Sequence, residues 1–175
     1  RLSGAHVDIG AVEANIVTTL ADTGTGSLRA AVSNALANDY IVFATNLTGG
    51  IISYTNGEIV LGKNLTVSAS GLAAKVVLNG KNASRLFMVN SNQTISLTGL
   101  TLTGGNGAGT TSSGNGGAFY NLGLLTLTDC TVSTNASSTR GGSVTTLGAG
   151  TAFTALRCVF AGNNSGGNNG GGAIY

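Results

Sequence analysis

The chain has 175 residues, enough for one domain with a sizeable core, and carries only 8% charged residues where an average domain has about 25%. Its 42% apolar residues, laid out largely in alternation, exclude disorder, and no apolar run approaches the roughly 18 residues of a membrane helix. A net charge of +2 from scattered basic residues gives no footprint for nucleic acid.

Residues 1–14 carry a short apolar run, Val7 to Val12, predicted as a strand. Asn15 to Leu20 is β-branched and reads as a second strand, followed by the turn cluster Asp22-Thr-Gly-Thr-Gly26. Ser27 is a good N-cap for a helix predicted over 27–38. Leu28, Ala31, Val32, Ala35 and Leu36 form its apolar stripe at helical spacing. An open solenoid end exposes core and unpaired strand edges, so this Ala-rich helix suits an N-terminal cap over 15–40.

From Tyr40 onward the chain reads as short strands and turns. One pattern is written three times: Ile95-Ser-Leu97-Thr-Gly-Leu100-Thr-Leu102, then Leu125-Thr-Leu127-Thr-Asp-Cys130-Thr-Val132 after 30 residues, then Phe153-Thr-Ala155-Leu-Arg-Cys158-Val-Phe160 after 28. A second phrase recurs as Gly116-Gly-Ala-Phe119-Tyr120, Gly141-Gly-Ser-Val144-Thr145 and Gly171-Gly-Ala-Ile174-Tyr175. Such a period means stacked coils, each too small to bury its own apolar face. The two residues between the alternating strands imply an L-shaped bend. Leu61-Gly-Lys-Asn-Leu65-Thr-Val67 reads as an earlier copy of the bend with one extra residue.

Parallel strands lie about 4.8 Å apart, so Leu100, Cys130 and Cys158 should form one inward column, and Leu102, Val132 and Phe160 the next. Thr101, Thr131 and Val159 should face outward. Gly104 to Gly117 and Asn163 to Gly172 should be loops on one side of the stack. Asn135 and Asn163 share a position where a corner needs a left-handed residue.

These repeats resemble right-handed parallel β-helix proteins of the bacterial surface, the polymorphic outer membrane protein and autotransporter-passenger-like proteins. The coil around Leu125–Asn135 carries the resemblance, with Val17–Val32 similar to the segment that opens such helices and Val7–Glu13 similar to one that closes them. The resemblance implies an all-β, right-handed parallel β-helix of about five coils over 41–175, with an N-terminal capping helix. It implies a structural role outside the cell or on its surface, as rod, sheath, filament or adhesin passenger. A closing-type segment set before an opening one suggests tandem modules or end-to-end self-association, with residues 1–14 ending a preceding module or forming an inter-subunit tail. The start at Arg1 and the stop at Tyr175, inside a fresh strand, suggest a segment of something longer.

Asp22-Thr23-Gly24 is the aspartic-protease triplet, but that chemistry needs two aspartates sharing a proton and there is one copy. Gly24-Thr-Gly26 lacks the remaining residues of a nucleotide fingerprint, with Arg29 where the third Gly should stand. The acids are Asp8, Glu13, Asp22, Asp39, Glu58 and Asp129, and no carboxylate pair for glycosidic or lyase chemistry is evident. Lys63, Lys75, Lys81 and Arg85 read as solvated corners. No cofactor or metal site is predicted; His6 is the single imidazole. Cys130 and Cys158 read as small apolar side chains in an inward stack, with a disulfide as the alternative.

Sequons at Asn46, Asn64, Asn82, Asn92, Asn135 and Asn163 matter only on a glycosylating secretion route. The competing function is a carbohydrate-binding or polysaccharide-degrading β-helix, with host or surface glycans as partners. A flat Thr array for ice or mineral is not sustained, because Thr98 and Thr128 give way to Leu156.

Overall fold

The computed structural model describes residues 2–3, 6–7, 14–167 and 171–175, with side chains from residue 15 onward. Most of the strand expected over 7–12 lies outside the described residues. Leu2–Ser3 and His6–Val7 pair antiparallel as a separate ribbon.

The rest is a parallel β-solenoid of about five turns with three long sheets. The first runs through Ala14–Val17, Asp39–Phe43, Leu65–Ser68, Thr94–Thr98, Leu124–Thr128 and Ala152–Leu156. The second runs through Ile51–Ser53, Val76–Asn79, Leu100–Thr103, Thr131–Ser133 and Val159–Ala161. The third runs through Ile59–Leu61, Phe87–Val89, Phe119–Asn121 and Val144–Thr146, and Ile174 extends it by a parallel bridge to Val144.

Alternation decides which side chains enter the core. In the first sheet Ile41, Val67, Leu97 and Leu127 stand in register and are fully buried. In the second, Ile52, Leu78, Leu102 and Val132 do the same, ending on the half-buried Phe160. Leu100 follows Val76 and aligns with Cys130, both 0% exposed, and Cys158 continues the column half-buried. In the third sheet the rings of Phe87 and Phe119 stack 5.4 Å apart. Each such buried side chain contributes about 1.5–3 kcal/mol. Thr101 and Thr131 are half-exposed on the outer face, and Val159 is exposed.

The bend between the first two sheets falls on Gly99, Asp129 and Arg157, all with positive φ of 51–71°. The earlier bend is built differently. Leu65–Ser68 pairs with Ile95 to Thr98, so Leu65-Thr-Val67 belongs to the first sheet, and Leu100–Thr103 pairs instead with Val76–Asn79. Residues 69–75 replace a one-residue bend with a loop, which hides the copy.

The second repeated phrase is a backbone requirement. A Cβ at Gly116, Gly141 or Gly171 would strike the carbonyl oxygen of Phe119, Val144 or Ile174 respectively, and Gly116 and Gly141 have φ of 58° and 54°. Asn135 and Asn163 do not take the left-handed conformation expected of them. Thr134 and Gly162, one residue earlier, take it with φ of 55° and 61°. The asparagines instead form a ladder: Asn135 Nδ2 donates to Leu102 O and to Asn163 Oδ1, and Asn163 Nδ2 donates to Val132 O.

The cap helix α1 spans Leu28–Asn34, shorter than the 27–38 expected. Ser27 Oγ accepts from the Ala30 amide at 3.1 Å. Leu28, Ala31, Val32 and Ala35 are buried, but Leu36 lies past the helix and is 65% exposed. Two groups from outside the helix end it. The Lys63 ammonium donates to the carbonyls of Ser33 and Ala35, at 2.8 and 2.6 Å, supplying the cation that a helix C-terminus favours. The Asp39 carboxylate takes the Leu36 amide at 2.7 Å and the Asn15 side chain at 2.9 Å, drawing the chain into the first sheet.

Candidate functional site

Charge is scarce in this chain, so where it is buried decides which part is built for more than stacking. The turn at 54–58 is gripped by the cap. Asp22 Oδ2 accepts from the amides of Thr55 and Asn56, both at 2.9 Å, and from Thr55 Oγ1 at 3.1 Å. Arg29 pairs with Asp22 Oδ1 at 2.9 Å and donates to the carbonyls of Gly57 and Glu58 at 2.7 and 2.9 Å. Its guanidinium also lies 5.4 Å from the Tyr54 ring centre. Burial raises the Asp22 carboxyl, but hydrogen bonds from Thr55, Arg29 and Asn56 outweigh it and hold the group below its ordinary 3.8. The Asp22-Thr-Gly24 triplet is therefore a structural clasp. The Gly24–Gly26 turn is closed by the amide of Thr18, which donates to Gly26 O at 2.8 Å.

Glu58 leads from this turn into the third sheet, and its side chain carries the connection onward. Oε2 meets Arg85 Nη1 at 2.7 Å, with the two side chains 2% and 0% exposed. Oε1 accepts from Thr110 N at 2.6 Å and Thr110 Oγ1 at 2.8 Å. Arg85 spends its other donors on carbonyls of one loop: Asn115 and Gly116 from Nε, Thr111 from Nη1, and Gly107, Thr111 and Ser112 from Nη2. Burial lowers the Arg85 guanidinium from its ordinary value, and the adjoining Glu58 carboxylate opposes that shift. The reading of Arg85 as a solvated corner is thus overturned. A buried guanidinium needs a carboxylate and a full set of acceptors, and both are present.

The loop these groups fasten is Gly104 to Gly117, between the second and third sheets. It takes positive φ at Gly104, Gly107, Gly114 and Gly116. It lies on the outer face of the third sheet, where Ser112 Oγ bonds Tyr120 Oη at 3.0 Å and Arg85 stands 5.1 Å from the Tyr120 ring centre. Tyr120 is consequently buried although it faces away from the core, and Met88, in register beside it, is buried too. Thr110 to Ser113, the loop tip, is exposed.

The remaining candidates fall elsewhere. Asp129 and Arg157 pair bidentately on the surface at 2.7 and 2.8 Å, which holds the exposed Asp129 carboxyl below its ordinary 3.8. Cys130 and Cys158 are free thiols, and burial pushes Cys130 up to about 11. Asn46, Asn82 and Asn92 are exposed, whereas Asn135 is buried in the ladder. Among the described residues there is no cluster of metal-ligating side chains. The last described coil leaves Phe153, Cys158 and Phe160 half-buried and Ile174 and Tyr175 exposed.

Sequence reasoning missed the Glu58–Arg85 pair. Its only signal is that each charge directly precedes an apolar run, Ile59-Val-Leu61 and Leu86-Phe-Met-Val89, that proves to lie in the same sheet. The fold defines the chain as a parallel β-solenoid. Compared with protein-family models, curated proteins and solved structures, the chain matches none.

Proposed function

We propose that this chain is a structural module of a bacterial cell-surface or secreted repeat protein, a rigid and nearly uncharged rod used as sheath, filament or adhesin passenger. The observation that carries this reading is the unbroken register of the inward columns. Ile52, Leu78, Leu102, Val132 and Phe160 follow one another through every coil of the second sheet. Each coil satisfies the backbone of its neighbours, so the stack lengthens without a change of plan.

The two ends of the stack support assembly along the axis. The cap presents polar Ser33 and Asn34 to solvent and buries Leu28, Ala31 and Val32. The last described coil presents half-buried Phe153 and Phe160 at an open sheet edge. A further coil, from tandem modules of one chain or from a second copy stacked end to end, would complete those columns.

Electron micrographs of the native material test this: fibres or long rods are expected, and isolated compact particles would overturn it. The competing carbohydrate-active reading draws less support, because Asp22, Glu58 and Asp129 are each committed to an arginine.

A further inference from the structure

We infer that the cap and the lateral loop at 104–117 form one cooperative element, coupled through Glu58. Docking of the cap is then a condition for fastening the loop tip around Thr110. The relay is continuous on the page. Asp22 and Arg29, on the cap, make their contacts to the backbone of residues 55–58. They thereby set where the Glu58 side chain starts. That side chain is the common partner of Thr110, on the loop, and of Arg85, which holds five loop carbonyls.

The loop reaches past the intervening coil to do this, since Thr110 and Glu58 are 52 residues apart and Arg85 sits between them in the stack. A contact across two coils is unusual in a solenoid, where each repeat touches only its neighbours. Buried polar networks of this kind hold as a unit, because a half-satisfied network leaves charge and carbonyls without partners at low dielectric. The two ends of the loop are held separately, by backbone bonds to the neighbouring coils: Arg85 N donates to Ala108 O, Asn106 N to Ser84 O, Ala136 N to Gly105 O, and the Gly116 and Gly117 amides to Arg140 O and Gly141 O. Loss of the clasp therefore frees the stretch between those ends, which carries Thr110, without melting the coils, and Gly107 and Gly114, both at positive φ, allow its backbone to swing. Whatever displaces the cap also changes how the Thr110–Ser113 tip is displayed and bares Tyr120 beneath it.

Hydrogen exchange on the full chain, read at the Thr110 amide and at the ladder amides of Leu127 and Val132, tests the coupling. Arg29→Gln removes the grip on residues 57 and 58 without touching the loop, and Glu58→Gln is the direct control. Arg29→Gln is expected to speed exchange at Thr110 about tenfold, with Leu127 and Val132 unchanged. Two results would overturn the inference. In one, Thr110 stays as protected as in the parent in Arg29→Gln while Glu58→Gln frees it. In the other, Thr110, Leu127 and Val132 all speed up together, which marks general destabilisation.

Discussion

Arg85 and Glu58, 27 residues apart in the chain, meet at 2.7 Å with their side chains almost wholly withdrawn from water. The pair joins two adjacent coils of the third sheet. It is also the post to which a loop from the next coil is tied. In a chain with 8% charged residues, this is the place where burial of charge is most complete among the described ion pairs.

Removing one partner should therefore cost far more than the pair contributes. Arg85→Met is expected to destabilise the protein by about 3–5 kcal/mol, because it strands a buried carboxylate. Adding Glu58→Gln should recover part of that loss. Chemical denaturation of both variants measures it, and a larger loss in the double variant than in Arg85→Met would mean that the stranded carboxylate is not the source of the cost.

The inward and outward faces of the second sheet give a sharper contrast. Leu100 is 0% exposed and Thr101, beside it, is half-exposed. Leu100→Asp places an unpaired charge in the core and should cost several kcal/mol or prevent folding, whereas Thr101→Asp should cost within about 1 kcal/mol. Thermal unfolding of the two variants decides the assignment, and similar shifts would reverse it.

Thiol chemistry should follow the depth of the column. Cys130 is fully buried with its thiol pushed up to about 11, and Cys158 is half-buried. Brief alkylation of the native protein should label Cys158 first, with Cys130 reacting after denaturation. Mass spectrometry of the two peptides provides the order.

Acid should loosen the cap through Asp22. Its folded pKa lies below the ordinary 3.8, so it binds protons more weakly in the folded state than in the unfolded one. The stability it contributes is present above the unfolded value and is lost as pH falls through the folded value. Asp22→Asn should be less stable than the parent near neutrality, and the gap should narrow below about pH 4. Denaturation curves across that range check the sign; a gap that widens in acid would contradict it.

The parts legible in the sequence are those written by repetition. Leu100, Cys130 and Cys158 share a column because the period is constant there, and the structure stacks them as that period implies. Where the coil length changes, repetition fails as a guide. The 69–75 loop made Leu65 resemble Leu100, although Leu65 lines up with Ile95.

The charged residues were illegible for a related reason. Arg85 finds Glu58 only after two coils stack and a third folds a loop over them, and no local pattern encodes that meeting. Leu36 fits a helical stripe, yet Lys63 takes the helix carbonyls from 30 residues away and the chain leaves the helix before reaching it. At the corner, Asn135 has the right residue type for a left-handed turn, but Thr134 supplies the turn and frees Asn135 for the ladder.

The contact between Thr110 and Glu58 has a mechanical consequence. Most side-chain bonds between coils tie a coil to its immediate neighbour, so a pull along the axis would peel coils one at a time. Thr110–Glu58, separated by 52 residues, bridges two coils with the Glu58 side chain buried, and Lys75–Thr131, separated by 56, does so on the exposed surface. The Glu58 contact acts as a rivet: the coil that carries Glu58 cannot peel away until the loop tip two coils on lets go, so that step of a single-molecule extension trace is expected at higher force than its neighbours.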